Sequence, residues 1–550
     1  MVADPLDSTG KAEEKTDVKA SLFFGHRGRR LRHVRESTFM NLGGPRVRPQ
    51  DVDRSAAQAE LYEHGEFRPR HISDEPGNDR GAKGVAERRK WQMRKSEPHS
   101  EAGNPSGPSA GEGHDPVSRR AAIAAKARKN PKEQFNNLLH HLSYELVAEC
   151  LSEIPQSSAA GVDGMSVKEA RENLSWLLPP ILKQIHEGRY TAPPVRRVYI
   201  PKADGTKRPI GVPAVIDRAI QAAMAKVLNE IYEQDFLKCS FGFRPGLGCH
   251  HALATINEIL YRRKMEHVLE VDIRDFFGSL SHDWLMRFLG LRVGDERVLA
   301  LIQAWLKAGI LEDGQWQEVE KGTPQGGSLS PLLANIYLHY VVDLWFERKI
   351  KPQFRGGAEL VRYADDLCLF FGHPTDVDTM RTLLQARLAQ FGLTLAEEKT
   401  HQTNLGPRTN NKTHERRRLT FLGFTIYRAR SLSQRVNKTV FQTEGKRFSR
   451  AKATMKERLR RMKHQPVEEQ VRAINQILRG HFNYYGLAGN AKKLQSFWTF
   501  TRREWKHSLS KRSQTGRQTW EAFTALLAKH PLATPRIRIS YPQLAAYARL

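Results

Sequence analysis

The stretch Glu359-Leu360-Val361-Arg362-Tyr363-Ala364-Asp365-Asp366-Leu367-Cys368-Leu369-Phe370-Phe371 reads as two apolar strands joined at a polar tip. An Asp-Asp pair at such a tip is, taken alone, a plain turn, because Asp tolerates turn geometry. A second acidic residue in an apolar context changes that reading. Asp272 follows Val268-Leu269-Glu270-Val271, a run whose period marks a buried strand. Carboxylates at the ends of buried strands require a counter-charge, since burying an unpaired charge is costly. Hard oxygen ligands with open positions suit Mg²⁺. Adjacent side chains of a flat strand point to opposite faces, but a tight turn brings Asp365 and Asp366 to one region. With Asp272 arriving from a neighbouring strand, the set fits two ions roughly 3.5–4 Å apart, the arrangement used for in-line phosphoryl transfer. The expected metal-binding residues are Asp272, Ile273, Asp365 and Asp366, with Asp272, Asp365 and Asp366 as the catalytic group and Mn²⁺ as a substitute ion.

Outward from this centre the chain divides by composition. Residues 1–130 are rich in Arg, Gly, Glu, Ser and Pro, with few aliphatic runs. Such a segment buries too little apolar surface to offset chain entropy, so it is expected to be largely disordered. From Pro131 the spacing of FNNLLHHLSYELVAECLSEI and WLLPPILKQIHEGRY predicts two helices. VRRVYIPK and RPIGVP then form a hairpin around Ala203-Asp204-Gly205-Thr206, whose Asp-Gly favours a tight turn. Helices follow in IDRAIQAAMAKVLNEIYEQDF, HHALATINEILYRR, SPLLANIYLHYVVDLWFER and TDVDTMRTLLQARLAQFG, and LTFLGFTIYR reads as a strand hairpin or edge. Beyond Lys446 the sequence is basic and mostly helical. The expected layout is a basic extension at 1–130, an α+β region at 131–430 and an α-helical region at 431–550.

Lys and Arg outnumber Asp and Glu by 88 to 60 in the 550 residues, a formal charge of +28. A chain so charged repels itself unless a polyanion neutralises it, which points to nucleic acid. No apolar run approaches the roughly 20 residues that span a bilayer, and the start carries no secretory h-region. The four cysteines form no C-x-x-C pair, so they read as small buried thiols of a reducing compartment.

Tyr363-Ala364-Asp365-Asp366 is similar to the catalytic tetrad of reverse transcriptases, and the flanking blocks resemble, in order, those of bacterial group II intron proteins over roughly residues 131–540. Gly161-Val162-Asp163-Gly164 resembles the block ahead of the fingers. Ile200-Pro201-Lys202 and Arg208-Pro209-Ile210-Gly211 resemble the fingers hairpin, which implies that Lys202 and Arg208 contact the incoming triphosphate. Ser240-Phe241-Gly242-Phe243-Arg244-Pro245-Gly246 resembles a block that lines the template, carried by Phe241 and Arg244. Phe277 matches the ring under the sugar of the incoming nucleotide. The family often has an acid or amide after it, whereas here the residue is Gly278. Gly322-Thr323-Pro324-Gln325-Gly326-Gly327 resembles the block in which Gln325 meets the nucleotide and Gly326 and Gly327 let the template approach the backbone. Lys399 matches a palm lysine near the triphosphate, and Phe421-Leu422-Gly423-Phe424 the primer-grip strand. Arg479-Gly480-His481-Phe482-Asn483-Tyr484-Tyr485-Gly486 resembles the thumb or maturase segment, implying RNA contact by Arg479, His481, Tyr484 and Tyr485.

The resemblance implies a right-hand polymerase with α+β fingers and palm and a helical thumb/maturase region. It implies RNA-directed DNA synthesis from dNTPs on an RNA template with a DNA primer, binding of group II intron RNA to assist splicing and mobility, and a DNA target. A homodimer and a cytoplasmic, nucleoid-associated ribonucleoprotein are expected with it. No cysteine follows Cys368, so the family's Cys/His endonuclease domain is not expected here. Three readings stay open beside this one: a domesticated or defence-associated reverse transcriptase, an RNA-directed RNA polymerase, which the bulk of Phe277 disfavours, and a maturase that only binds RNA.

Overall fold

The computed structural model describes residues 116–201, 205–406, 417–430, 437–513 and 516–548. Lys202 and residues 1–115 of the expected N-terminal extension lie outside them. The fold centres on a four-stranded antiparallel sheet in the order Ala358–Tyr363, Asp366–Phe371, His267–Val271, His401–Asn404. Cys368 sits in register with Val361 on one side and Glu270 on the other. The strands carry near-continuous apolar runs because both faces are covered. Leu269, Leu360, Leu367, Leu369 and Phe371 point into a core shared with the N-terminal helices. Val268, Val361, Cys368 and Phe370 point into a second core shared with the hairpin at 419–443 and the chain's last helix.

The helix Val215–Asp235 forms the backbone of the first core, with Ile220, Met224, Val227 and Ile231 fully buried along its length. The helix Pro116–Lys129 buries Ile123 and Ala127 in this same core. The folded region therefore starts ahead of Pro131. Arg292, itself buried, ties that start down by donating to the carbonyls of Asn130 at 2.9 Å and Glu133 at 3.0 Å while pairing with Asp235 at 2.9 Å.

A second sheet is built on the expected hairpin. Val195–Pro201 pairs antiparallel with Lys207–Val212, and its other edge runs parallel to Ile310–Glu312, which pairs in turn with Gln315–Gln317. The loop Ala159–Ala160 docks at its base through Arg218 and Arg196, which donate to the two carbonyls at 2.6 Å each. A third sheet of Leu419–Phe421, Phe424–Arg430 and Asn437–Thr443 turns tightly at Leu422-Gly423, both at positive φ. The strand 437–443 completes this sheet, so the purely helical region begins at Gly445 and not at 431.

Helices Gly445–Arg461, Val467–Tyr485 and Ala491–Ser510 bury Met455, Leu478, Phe497 and Trp505 in a third core. The chain then returns: Leu487 bridges Ile539, and the helix Tyr541–Tyr547 packs on Cys249–Glu258 beside the central sheet. The architecture is α+β with antiparallel sheets followed by a helical unit. All four cysteines are free thiols. Leu369, fully buried between Leu269 and Leu360, is a point where the first core and the sheet meet. Leu369→Ala is expected to cost about 2–5 kcal/mol, read as a lower denaturant midpoint.

Candidate active site

The central hairpin turns at Ala364-Asp365, and Asp366 is already the first residue of the return strand, in register with Tyr363. Ala364 stands at φ 57°, a left-handed conformation rare for a residue with a Cβ. Its surroundings fix it. The parallel bridge between Ser240 and Arg362 runs the segment 239–242 alongside, with the Phe241 amide donating to the Arg362 carbonyl at 2.9 Å. Gly242 then backs the turn so closely that a Cβ there would collide with the Ala364 amide. Only glycine permits that approach.

Beneath the turn lies an ion pair that the sequence reading did not identify. Arg362 and Asp343 are both 0% exposed and meet through two bonds, Nε to Oδ1 at 2.7 Å and Nη2 to Oδ2 at 2.6 Å. The remaining donors of Arg362 go to Asn335 at 2.9 Å, the Ala364 carbonyl at 3.0 Å and Ser240 at 2.7 Å. Asn335 in turn donates to the Gly242 carbonyl at 2.7 Å. One guanidinium thus ties the turn, the strand behind it and the helix Ser330–Leu338 together. A hint was present in the sequence, since an Arg inside an apolar strand requires a buried acid.

Burial raises the pKa of Asp365, with the Asp272 charge adding to the effect while Arg208 and Arg362 oppose it. Asp366 still touches solvent, yet surrounding protein together with Asp365 and Asp272 pushes it up to about 7; Arg447 and Lys399 pull the other way. Asp272 pairs with Lys399 at 2.7 Å. Among the described residues no three ligating side chains converge into a ready-made metal cage. The donor set nevertheless fits a hard divalent cation: three carboxylates, two of them destabilised as anions by burial and by one another. The bridge from Ile273 to Leu395 engages the Asp272 carbonyl and the Arg274 amide and leaves the Ile273 carbonyl out of the pairing.

Other expected residues gather here. Arg208 projects from the exposed end of the second sheet, close enough to Asp365 to lower its pKa. The Phe277 carbonyl accepts from the Thr323 amide at 2.8 Å, which sets its backbone beside the Gly322–Gly327 loop. Gln325 lines a cavity of about 350 Å³ with Asp275, Gly278 and Pro209. The Asp275 carboxylate folds over Gly278 where a Cβ would sit, so an acid reaches this spot from three residues earlier. A Cβ on Gly326 would strike the Gly211 carbonyl, and one on Gly327 would press on Gln221 and Ser330. Gly326 therefore allows the loop to pack on the strand Lys207–Val212, and Gly327 lets it close on the helix Val215–Asp235.

Three residues expected at RNA or template lie in the interior instead. Phe241 is fully buried in the second core. Arg244 is buried against Glu233 at 2.9 Å and the carbonyls of Leu237 and Ser240. The exposed ring of this loop is Phe243, 54% exposed and at φ 60°, which two Phe residues in one loop did not distinguish. His481 stacks on Phe497 at 4.2 Å and on Tyr485 at 4.7 Å, and burial pulls its pKa down to about 4. A ring neutral at pH 7 offers no charge to phosphate. Tyr484 and Tyr485 pack on Phe424, and the Tyr484 hydroxyl donates to the Leu422 carbonyl at 2.9 Å. Arg479 is exposed on the same helix. Arg447, also missed, reaches toward Asp366 over Gly423.

Residues 200–426 match the family described as reverse transcriptase (RNA-dependent DNA polymerase), and residues 448–524 match the group II intron maturase-specific domain. The chain thus matches a reverse transcriptase family over its middle and the group II intron maturase domain beyond it. It is similar to the group II intron-encoded protein LtrA of Lactococcus lactis subsp. cremoris, 35% identical over 239 residues, which cover 42% of this chain and 38% of LtrA. Protein YkfC of Escherichia coli K12 is 34% identical over 240 residues, covering 42% of this chain and 63% of YkfC. The chain thus spans less than two thirds of either relative. The first match contains the three carboxylates and the central sheet around them, and the second lies in the third core.

Arg362→Met leaves Asp343 buried without its partner and is expected to cost about 3–5 kcal/mol, with much of that recovered in the double variant carrying Asp343→Leu; urea unfolding reads both. For His481, an unfolded imidazole titrates near ~6.5, above the folded value of about 4. Between those values the unfolded chain binds the extra proton, so stability present above the window is lost as pH falls through it. His481→Phe is expected to lessen the fall in Tm on acidification from neutral pH.

Proposed function

We propose that the chain is an RNA-directed DNA polymerase of a group II intron, which copies intron RNA into cDNA and binds that RNA to assist splicing and mobility. The observation that carries this reading is the gathering of Asp272, Asp365 and Asp366 at one hairpin turn, with cationic side chains from three separate elements turned toward them: Arg208, Lys399 and Arg447. Such a floor suits a polyanionic substrate whose charge grows during transfer.

In this reading Arg208, together with Lys202, holds the triphosphate. Lys399 keeps Asp272 neutralised until the nucleotide arrives and then turns to phosphate. The Phe277 ring lies under the sugar and crowds a 2′-hydroxyl, while Gln325 and Phe243 border the new base pair. Asp272, the Ile273 carbonyl, Asp365 and Asp366 would hold two Mg²⁺ ions, with Mn²⁺ as substitute, and the bound ions would supply acidification of the primer hydroxyl and charge balance for the departing pyrophosphate. The fixed turn at Ala364-Asp365 keeps the two adjacent carboxylates on one side. The basic helical unit supports intron RNA as the standing partner, alongside the RNA template with its DNA primer, dNTPs and a DNA target; pairing of two copies of the chain and association with the nucleoid through the ribonucleoprotein belong to the same reading. No described helix is long and apolar enough to cross a membrane.

Primer extension on an RNA template with Mg²⁺ tests the assignment. Asp365→Asn is expected to lower the rate by at least roughly 10²–10³-fold; cDNA synthesis at the normal rate would remove the turn from the active site. Phe277→Ala is expected to relax discrimination against ribonucleotides by roughly 10–200-fold, measured as incorporation of rNTP against dNTP on the same primer.

A further inference from the structure

The helical unit carries a second cavity, of about 450 Å³, between the start of the helix Ala491–Ser510 and the segment Pro535–Ile537. Its outer wall lies beyond both matched family segments, which end at 426 and 524. That wall is fixed in place. The Arg538 amide donates to the Gly486 carbonyl at 2.6 Å, the Ala488 amide to the Ile539 carbonyl at 2.9 Å, and the Tyr541 hydroxyl to the Thr439 carbonyl at 2.7 Å. Ile539 and Leu544 are buried in the second core, and just ahead of these anchors Ile537 is 38% exposed at the cavity.

The lining has a specific chemistry. Lys492 and Arg536 are its charged groups, and no carboxylate lines it. Gln495 offers an amide, and Ala491, Pro535 and Ile537 offer an apolar surface. Lys493, next in sequence, is turned away onto the Phe448 ring at 4.7 Å. Two cations beside an apolar wall suit a ligand with an anionic backbone and a flat apolar face. A base-paired helix hides its base faces in the stack, whereas an unpaired nucleotide presents one. The volume lies within the roughly 300–1,000 Å³ of small-ligand sites.

We propose that this cavity binds an unpaired nucleotide of structured RNA, with Lys492 and Arg536 on the flanking phosphates, Ile537 against the base and Gln495 at the base edge. The proposal rests on the RNA-binding reading above and gives it a site. It would let the chain recognise a bulge or loop of the RNA apart from the template path.

The test is fluorescence anisotropy with the full chain, titrated into a labelled oligouridylate or into a blunt RNA duplex of equal length. Ile537→Ala is expected to weaken oligouridylate binding by roughly five- to tenfold and to leave the duplex within twofold. Lys492→Gln with Arg536→Gln is expected to lower the salt slope on oligouridylate by about 1.4, near 0.7 for each phosphate contact on a single strand. Ile537→Ser provides a second exposed-site variant, with thermal melts showing that the fold is retained. Equal losses on both RNAs, or no loss on either, overturn the cavity assignment. A wild-type chain that binds neither RNA overturns the RNA-binding reading itself, and primer extension on an annealed template, run in parallel, reports the polymerase separately.

Discussion

The central hairpin turn depends on one guanidinium. Arg362 is a cation in the middle of a hydrophobic strand, and Asp343 with Asn335, Ser240 and the Ala364 carbonyl takes up its donors. Breaking such a buried pair leaves an uncompensated charge, so the surrounding elements are held to the geometry that satisfies it. The consequence is local and chemical. The left-handed backbone at Ala364 is kept, Asp365 and Asp366 both stay within the field of Asp272, and Gly242 seals the back of the turn.

A site held this rigidly concentrates like charge. Surrounding protein and neighbouring carboxylates, Asp272 for Asp365 and Asp365 with Asp272 for Asp366, raise both turn carboxylates, and the chain answers with Lys399, Arg208 and Arg447 drawn from different parts of the fold. The same arrangement that disfavours the empty anionic site favours a divalent cation and a phosphate chain. The Lys399–Asp272 pair is mostly solvent-exposed on the lysine side, so it is a weak contact that a stronger counter-charge can replace.

The second core explains how the helical unit is joined to the central sheet. Val268, Val361 and Phe370 share it with Phe424, Phe441, Leu487, Ile539 and Leu544. The chain crosses between the two regions more than once, through the hairpin at 419–443 and again through the returning segment after Pro535. The fixed course of that returning segment is also what leaves Ile537 facing solvent beside Lys492 and Arg536.

The sequence alone determined the α+β class and the order of the two family segments, and marked Asp272, Asp365 and Asp366 as misplaced acids, because apolar periodicity, misplaced acids and short motifs are local properties. Arg208 and Lys399 were legible as cations of the site for the same reason. Only the tertiary structure decided that Phe241, Arg244 and His481 face inward while Phe243 faces out, since the direction of a loop side chain depends on what packs behind it. It also decided that Gly326 makes room for the Gly211 carbonyl, and that Arg362 and Asp343, far apart in the chain, form one ion pair. A motif records which groups must be present; which neighbour each one meets is set by packing across the chain, and one strand's sequence carries no record of it.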